Sequence, residues 1–265
     1  MTSDSGPLVS GEWLRAHLGD VRVVDVRWYL GGPPGRDAYE GGHLPGAVWM
    51  DIDTELSDPA TAADGRHPLP SPERFAAALG RAGIASGTPV VAYDDTGGST
   101  AARLWWLLHV LGEPAAVLDG GIAAWPGELT TAEPSVETIT REPVPWPPER
   151  FRTADELGGV TLLDARAAIR WAEGDPAIDP RPGHIPGALS APWADNLGPD
   201  GRLRSPDQLR AHYPGTSPVV AYCGSGVTAC LNLLGLEVAG ITDTALYPGS
   251  FSQWGADADR PVELG

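Results

Sequence analysis

Pro89-Val90-Val91-Ala92-Tyr93 returns late in the chain as Pro218-Val219-Val220-Ala221-Tyr222. Each run is short and apolar, opens on Pro and closes on a Gly-rich turn, as a strand buried on both faces of a parallel sheet should. Four further segments recur around it in the same order. Val23-Val24-Asp25-Val26-Arg27 matches Leu162-Leu163-Asp164-Ala165-Arg166, and Gly42-His43-Leu44-Pro45-Gly46-Ala47 matches Gly183-His184-Ile185-Pro186-Gly187-Ala188. Ser71-Pro72-Glu73-Arg74-Phe75 matches Ser205-Pro206-Asp207-Gln208-Leu209 more loosely, and Gly120 and Trp125 match Gly249 and Trp254. The spacing, about 130–140 residues, far exceeds the 20–50 residues of a solenoid, so the chain reads as a tandem pair of whole domains.

Between Trp125 and Phe151 stand Pro126, Pro134, Pro143, Pro145, Pro147 and Pro148, a stretch that cannot carry a helix and reads as a stiff, extended linker. Expected boundaries are a first domain over 1–126, a linker over 127–150 and a second domain over 151–265. A linker between two like domains leaves a cleft, the default place for a site. Strands are expected at 21–26, 89–93, 160–163 and 218–222. Helices should start at Ser71-Pro72 and Ser205-Pro206, with Ser as N-cap and Pro at the first helical position, and Thr153-Ala154-Asp155-Glu156 is a capping-box pattern. Strands alternating with helices make each copy an α/β domain, a mostly parallel sheet flanked by helices.

All 18 basic residues are Arg. Without Lys there is no Schiff base, pyridoxal-phosphate anchor or P-loop lysine, so an anion must be bound by Arg, backbone N–H groups or helix N-termini. The formal charge of −17 disfavours nucleic acid and anionic membrane as partners. Cys223 and Cys230 are too few for a disulfide framework, residues 1–20 hold no apolar leader core, and no apolar run reaches the 18 residues of a membrane span. A reduced, soluble, cytoplasmic protein is expected.

The copies diverge after Val-Val-Ala-Tyr. The second continues Cys223-Gly224-Ser225-Gly226-Val227-Thr228-Ala229, the first Asp94-Asp95-Thr96-Gly97-Gly98-Ser99-Thr100. Both are Gly-rich turns leading into an apolar helix (104–111 and 231–236), able to aim successive N–H groups into one concavity at the positive end of the helix dipole. A thiolate is stabilised there, which makes Cys223 a candidate nucleophile; the alternative is a buried thiol that packs as a small hydrophobe. Cys230, inside the helix, reads as the packed kind. Asp94 leaves the first copy without a nucleophile.

The paired domains, the Gly-His-Ile-Pro-Gly-Ala element and the Cys223 loop together resemble the tandem rhodanese-type sulfurtransferases, from about Leu8 to Trp254. The Cys-Gly-Ser-Gly-Val-Thr loop is similar to that of the 3-mercaptopyruvate sulfurtransferase branch. Thiosulfate enzymes set basic residues directly after the Cys, where this chain has Gly224 and Ser225 and no charge to meet a sulfonate. The resemblance implies that Cys223 takes sulfur from mercaptopyruvate as a persulfide, releases pyruvate, and passes the sulfur to a thiol such as thioredoxin or to cyanide, with neither metal nor organic cofactor. The amides of Gly224, Gly226, Val227 and Thr228 would hold the charge. It further implies that Arg170 and Arg181 bind the donor's carboxylate and ketone, and that Asp53, His67 and Ser225 relay a proton. His43, His184, Asp25 and Asp164 recur in both copies and therefore belong to the scaffold. A phosphatase of this fold needs Arg six residues after the Cys, where Ala229 stands. The remaining alternatives are a thiosulfate sulfurtransferase and, more remotely, a non-catalytic binding module.

Overall fold

The computed structural model describes residues 6–61, 63–213 and 218–265. Each copy builds its own all-parallel sheet. The first contains β1 (Leu8–Val9), β2 (Arg22–Asp25), β3 (Val48–Trp49), β4 (Val90–Tyr93) and β5 (Ala115–Leu118) in the order β1-β5-β4-β2-β3. The second contains β6 (Thr161–Asp164), β7 (Leu189–Ser190), β8 (Val219–Tyr222) and β9 (Thr244–Leu246) in the order β7-β6-β8-β9. Register repeats as well: Asp25 faces Tyr93 across β2 and β4, and Asp164 faces Tyr222 across β6 and β8. The second sheet has one strand fewer, but Phe151 makes a parallel bridge to Leu246, a one-residue counterpart of β1 on β5.

The helices are α1 (Gly11–Ala16), α2 (Gly35–Gly41), α3 (Pro72–Arg81) and α4 (Ala101–His109) in the first copy. The second has α5 (Ala168–Glu173), α6 (Pro206–His212), α7 (Ala229–Val238) and α8 (Ser250–Trp254). Ser71 and Ser205 cap α3 and α6 as expected, each accepting from the third helical residue. The capping box at Thr153 forms too, but closes only a 3₁₀ turn. β4 and β8 are buried along their whole length, and α4 and α7 are almost wholly buried, Trp105 and Trp106 included. No helix among the described residues is long and apolar enough to cross a membrane.

The duplicated Asp and His residues form the same brace twice. Arg27 grips Asp25 with Nε and Nη2 and donates to the Gly42 carbonyl at 2.7 Å; Arg166 does the same with Asp164 and Gly183 at 2.9 Å. His43 stacks on Tyr39 and His184 on Trp171, each with Nδ1 at a backbone carbonyl. Burial and the adjacent carboxylate push the Tyr93 and Tyr222 phenols far up, so both stay protonated donors.

The chain forms two compact units whose limits do not follow the repeats. The first takes the chain to Asp58, then Pro70–Trp146 and Pro199–Leu203; the second takes Pro59–Leu69, Pro147–Gly198 and Arg204–Gly265. The Pro-rich stretch up to Trp146 lies along the first unit, with Ile139 bonded to Gly80 and the Trp146 indole to the Pro70 carbonyl. Pro59–Leu69 is held in the second unit by Gly65, whose φ is +81° and where a Cβ would come within 2.5 Å of the Gly249 carbonyl. Only glycine permits that approach.

Candidate active site

β8 ends at Tyr222, and the chain turns through residues 223–228 into α7. Gly226, at φ +78°, makes the turn possible, and its N–H donates to Cys223 Sγ at 3.2 Å. Both thiols are buried, but their settings differ: Cys230 donates to the Gly226 carbonyl, while Cys223 lies at the positive end of α7 and receives an N–H. Val227 and Thr228 complete the turn and lead into the helix.

The first copy shows what this loop shape holds. Asp94 occupies the Cys223 position, fully buried, and its Oδ1 accepts the N–H groups of Thr96 and Gly98 at 2.9 and 2.8 Å. Its Oδ2 accepts those of Thr100 and Ala101 at 2.8 and 3.0 Å, with the Thr100 hydroxyl in addition. Four backbone donors converge on one carboxylate. The turn is a nest for an anion, and its twin sets a thiol at the same address.

His67 Nδ1 lies 2.7 Å from Ser225 Oγ, both groups being buried. The residue before it, Arg66, carries the finding that the sequence reading missed. A Cβ built on Gly224 would stand 2.7 Å from Arg66 Nη2 and 3.0 Å from Arg170 Nη2. Two guanidinium groups therefore converge on the residue next to Cys223. Arg170 is held side-on by Asp179, with Nε to Oδ2 at 3.0 Å and Nη2 to Oδ1 at 2.5 Å, so its Nη1/Nη2 end faces Gly224. Asp179 also pairs with Arg166 at 3.4 Å. Burial would raise the Asp179 carboxyl, but the bond and charge of Arg170 and the charge of Arg166 outweigh it and hold it below its usual range.

Among the described residues Arg66 has no carboxylate of its own. Its Nη1 donates to the Ile178 carbonyl at 2.7 Å, and its buried Nε has no hydrogen-bond partner among the described residues. Burial lowers its pKa and the charge of Arg170 adds to this, while Cys223 and Asp179 oppose them. Three guanidinium groups (Arg66, Arg166, Arg170) against two carboxylates (Asp164, Asp179) leave one positive charge uncompensated beside the loop. The matching brace in the first copy, Asp25 with Arg27, is balanced.

Two expectations are corrected. Arg181 is spent on the Trp254, Asp257 and Arg260 carbonyls, a brace for the chain after α8. Arg66 takes the place beside the loop that Arg181 was expected to fill. The absence of cations at positions 224 and 225 also does not leave the loop uncharged, because Arg66 and Arg170 reach it from other segments. Asp53 belongs to the first unit, where it accepts from the Trp28 indole at 3.0 Å and helps line a cavity of about 280 Å³. Among the described residues no cluster of three or more His, Cys, Asp or Glu could hold a metal ion.

Comparison with known families matches the Rhodanese-like domain twice, over residues 10–128 and 148–257. The chain is 42% identical to a Pseudomonas aeruginosa protein provisionally named 3-mercaptopyruvate sulfurtransferase, over 98% of this chain and 99% of the other. It is 40% identical to SseB of Mycobacterium tuberculosis, provisionally named a thiosulfate sulfurtransferase, over 92% and 91%. Among solved structures it resembles SseA from Escherichia coli, described as a 3-mercaptopyruvate sulfotransferase of rhodanese fold. That match has a TM-score of 0.80 and 32% identity, over 93% of this chain and 99% of the other.

Proposed function

This chain belongs to the rhodanese-like family, and we propose that it is a sulfurtransferase that moves sulfur from 3-mercaptopyruvate, through a persulfide on Cys223, to a thiol or cyanide. One observation carries the reading. Cys223 Sγ receives a backbone N–H in a loop whose twin holds a full carboxylate, with the ends of Arg66 and Arg170 at the neighbouring Gly224.

The Arg66 and Arg170 guanidinium groups take the donor's carboxylate, which orients its sulfur toward Cys223. The Cys223 thiolate attacks that sulfur, an S–S bond forms and the donor's C–S bond breaks. The electron pair of the C–S bond leaves with the three-carbon fragment as the enolate of pyruvate. Ser225 and His67, 2.7 Å apart, pass a proton to the enolate carbon, giving pyruvate. The loop amides hold the negative charge of the thiolate before the step and of the persulfide after it. In the second half-reaction an acceptor thiolate, or cyanide, attacks the outer sulfur and Cys223 leaves as thiolate. A dithiol protein of the thioredoxin kind would be a suitable acceptor, because its second thiol can release the sulfur as sulfide.

The same arginine pair favours thiosulfate as a second donor, since a sulfonate oxygen can accept from the guanidinium groups that take a carboxylate. Steady-state kcat/KM for both donors on one preparation ranks them, with mercaptopyruvate expected to lead. Incubation with mercaptopyruvate alone should load one sulfur atom on Cys223 and release one equivalent of pyruvate; cyanide should then discharge the sulfur as thiocyanate. A chain that carries no cyanide-labile sulfur after exposure to either donor would refute the reading.

A further inference from the structure

Ser250 is the one non-glycine residue with positive φ among those described, at +52°. Its counterpart in the first copy is Gly121, at +59°, where a Cβ would meet the Asp94 carbonyl at 2.4 Å. The second copy thus keeps a side chain in a backbone conformation that disfavours one. That side chain is fully buried, and its hydroxyl accepts the N–H of Cys223 at 3.2 Å and donates to the Tyr247 carbonyl at 3.0 Å.

The two residues after it also serve the loop. Phe251 N–H donates to the Cys223 carbonyl at 3.0 Å and Ser252 N–H to the Gly224 carbonyl at 2.9 Å. These are the amides that a helix start leaves without partners of its own. In a trans peptide the C=O and the following N–H point in opposite directions. Fixing the carbonyls of Cys223 and Gly224 on α8 therefore turns the N–H groups of Gly224 and Ser225 the other way, away from α8. Arg166 lies over the Phe251 ring at 3.9 Å and ties this turn to the buried charge cluster.

We propose that Ser250 is a positioning residue for the reaction: its hydroxyl, with the first amides of α8, sets the orientation of the loop peptides that hold the sulfur on Cys223. The inference rests on the reading of Cys223 as the sulfur-carrying nucleophile. The left-handed backbone at Ser250 is retained because it lets one short turn engage the N–H and C=O of Cys223 at once.

Two variants separate positioning from stability. Ser250→Gly removes the hydroxyl and relieves the backbone; Ser250→Ala removes the hydroxyl and keeps the strain. Ser250→Gly should melt higher than Ser250→Ala. Both should nevertheless lose about tenfold in kcat for pyruvate release, and both should alkylate more slowly at Cys223 with a neutral reagent, with KM for mercaptopyruvate unchanged. A wild-type kcat in Ser250→Gly overturns the inference, as does activity that follows melting temperature across the pair. Cys223→Ser is run beside them. If it keeps activity, the persulfide reading itself fails and this inference falls with it; if it is inactive while Ser250→Gly is wild-type, only the positioning role is lost.

Discussion

Gly224→Ala offers a test of donor recognition that leaves every charge in place. The added Cβ would lie 2.7 Å from Arg66 Nη2 and 3.0 Å from Arg170 Nη2, where ordinary contact starts at 3.4 Å. The two guanidinium ends must retreat by about 0.7 and 0.4 Å, and both are the far ends of flexible side chains. The backbone at Gly224 is not in the left-handed region, so alanine fits it, and the melting temperature should stay within about 3 °C of wild type. Donor recognition should suffer far more, because a misplacement approaching 1 Å in a positioning group can cost about a hundredfold. The expected loss in kcat/KM for mercaptopyruvate is ten- to a hundredfold, about 1.4–2.7 kcal/mol of transition-state stabilisation. The assay is pyruvate release at several donor concentrations, with alkylation of Cys223 by a neutral reagent measured in parallel. Alkylation should be nearly unchanged, since no carboxylate is read. Full activity in Gly224→Ala would show that the arginine pair does not address the donor, and equal losses in both assays would place the fault in the loop itself.

Cys223→Ser should abolish transfer from every donor, whereas Cys230→Ser should keep most activity, because a serine hydroxyl can also donate to the Gly226 carbonyl; comparable losses in a sulfur-transfer assay would mark the two thiols as a working pair. Arg66→Ala and Arg170→Ala should each lower kcat/KM for mercaptopyruvate about ten- to a hundredfold, the weight of a charge-assisted bond, with neutral alkylation close to wild type in Arg170→Ala and slower in Arg66→Ala, whose charge faces Cys223; an unaffected Arg66→Ala would return that residue to the scaffold. Asp179→Asn should cost about 3 kcal/mol at neutral pH, because it leaves buried guanidinium groups without their counter-charge. The folded chain holds Asp179 below its ordinary range, so its contribution is complete above the unfolded-state value of about 3.9 and is lost as pH falls through the folded value. Denaturant melts of both proteins should therefore show a constant gap from neutral to about pH 5 that closes in stronger acid; a gap that widens in acid would contradict the assignment.

The strands β2, β4, β6 and β8 were legible because a buried parallel strand writes itself as a continuous apolar run, and because the duplication printed each run twice; β5 and β9, of four and three residues, were not read. Asp25 and His43 were assigned to structure by the same duplication, and their shared brace with Arg27 and Tyr39 is the physical reason. Edge strands such as β3 and β7, two residues each, carry too little pattern to be seen. Arg66 escaped for a different reason. It lies in Asp64-Gly65-Arg66, which recurs as Asp200-Gly201-Arg202 in the second copy, and it meets the loop only because Pro59–Leu69 packs away from its own repeat, as Pro199–Leu203 also does. A signal was present in its position directly before His67, already singled out, in a chain without Lys. Arg181 was expected at the site on the resemblance alone, with no signal of its own in the sequence. Its guanidinium instead donates to the carbonyls of Trp254, Asp257 and Arg260.

Asp94 has one further implication, for how the two copies can age. Its carboxylate is tethered, so the first loop is filled at every moment, and its order does not depend on any visitor. On the proposed function the second loop holds a passenger that arrives and departs, and its amides serve two occupants of different size. Drift in the first loop is therefore answered by loss of folded protein, while drift in the second is answered by slower turnover as well. Duplication thus sets one turn two separate tests, loss of fold in the first copy and loss of turnover in the second.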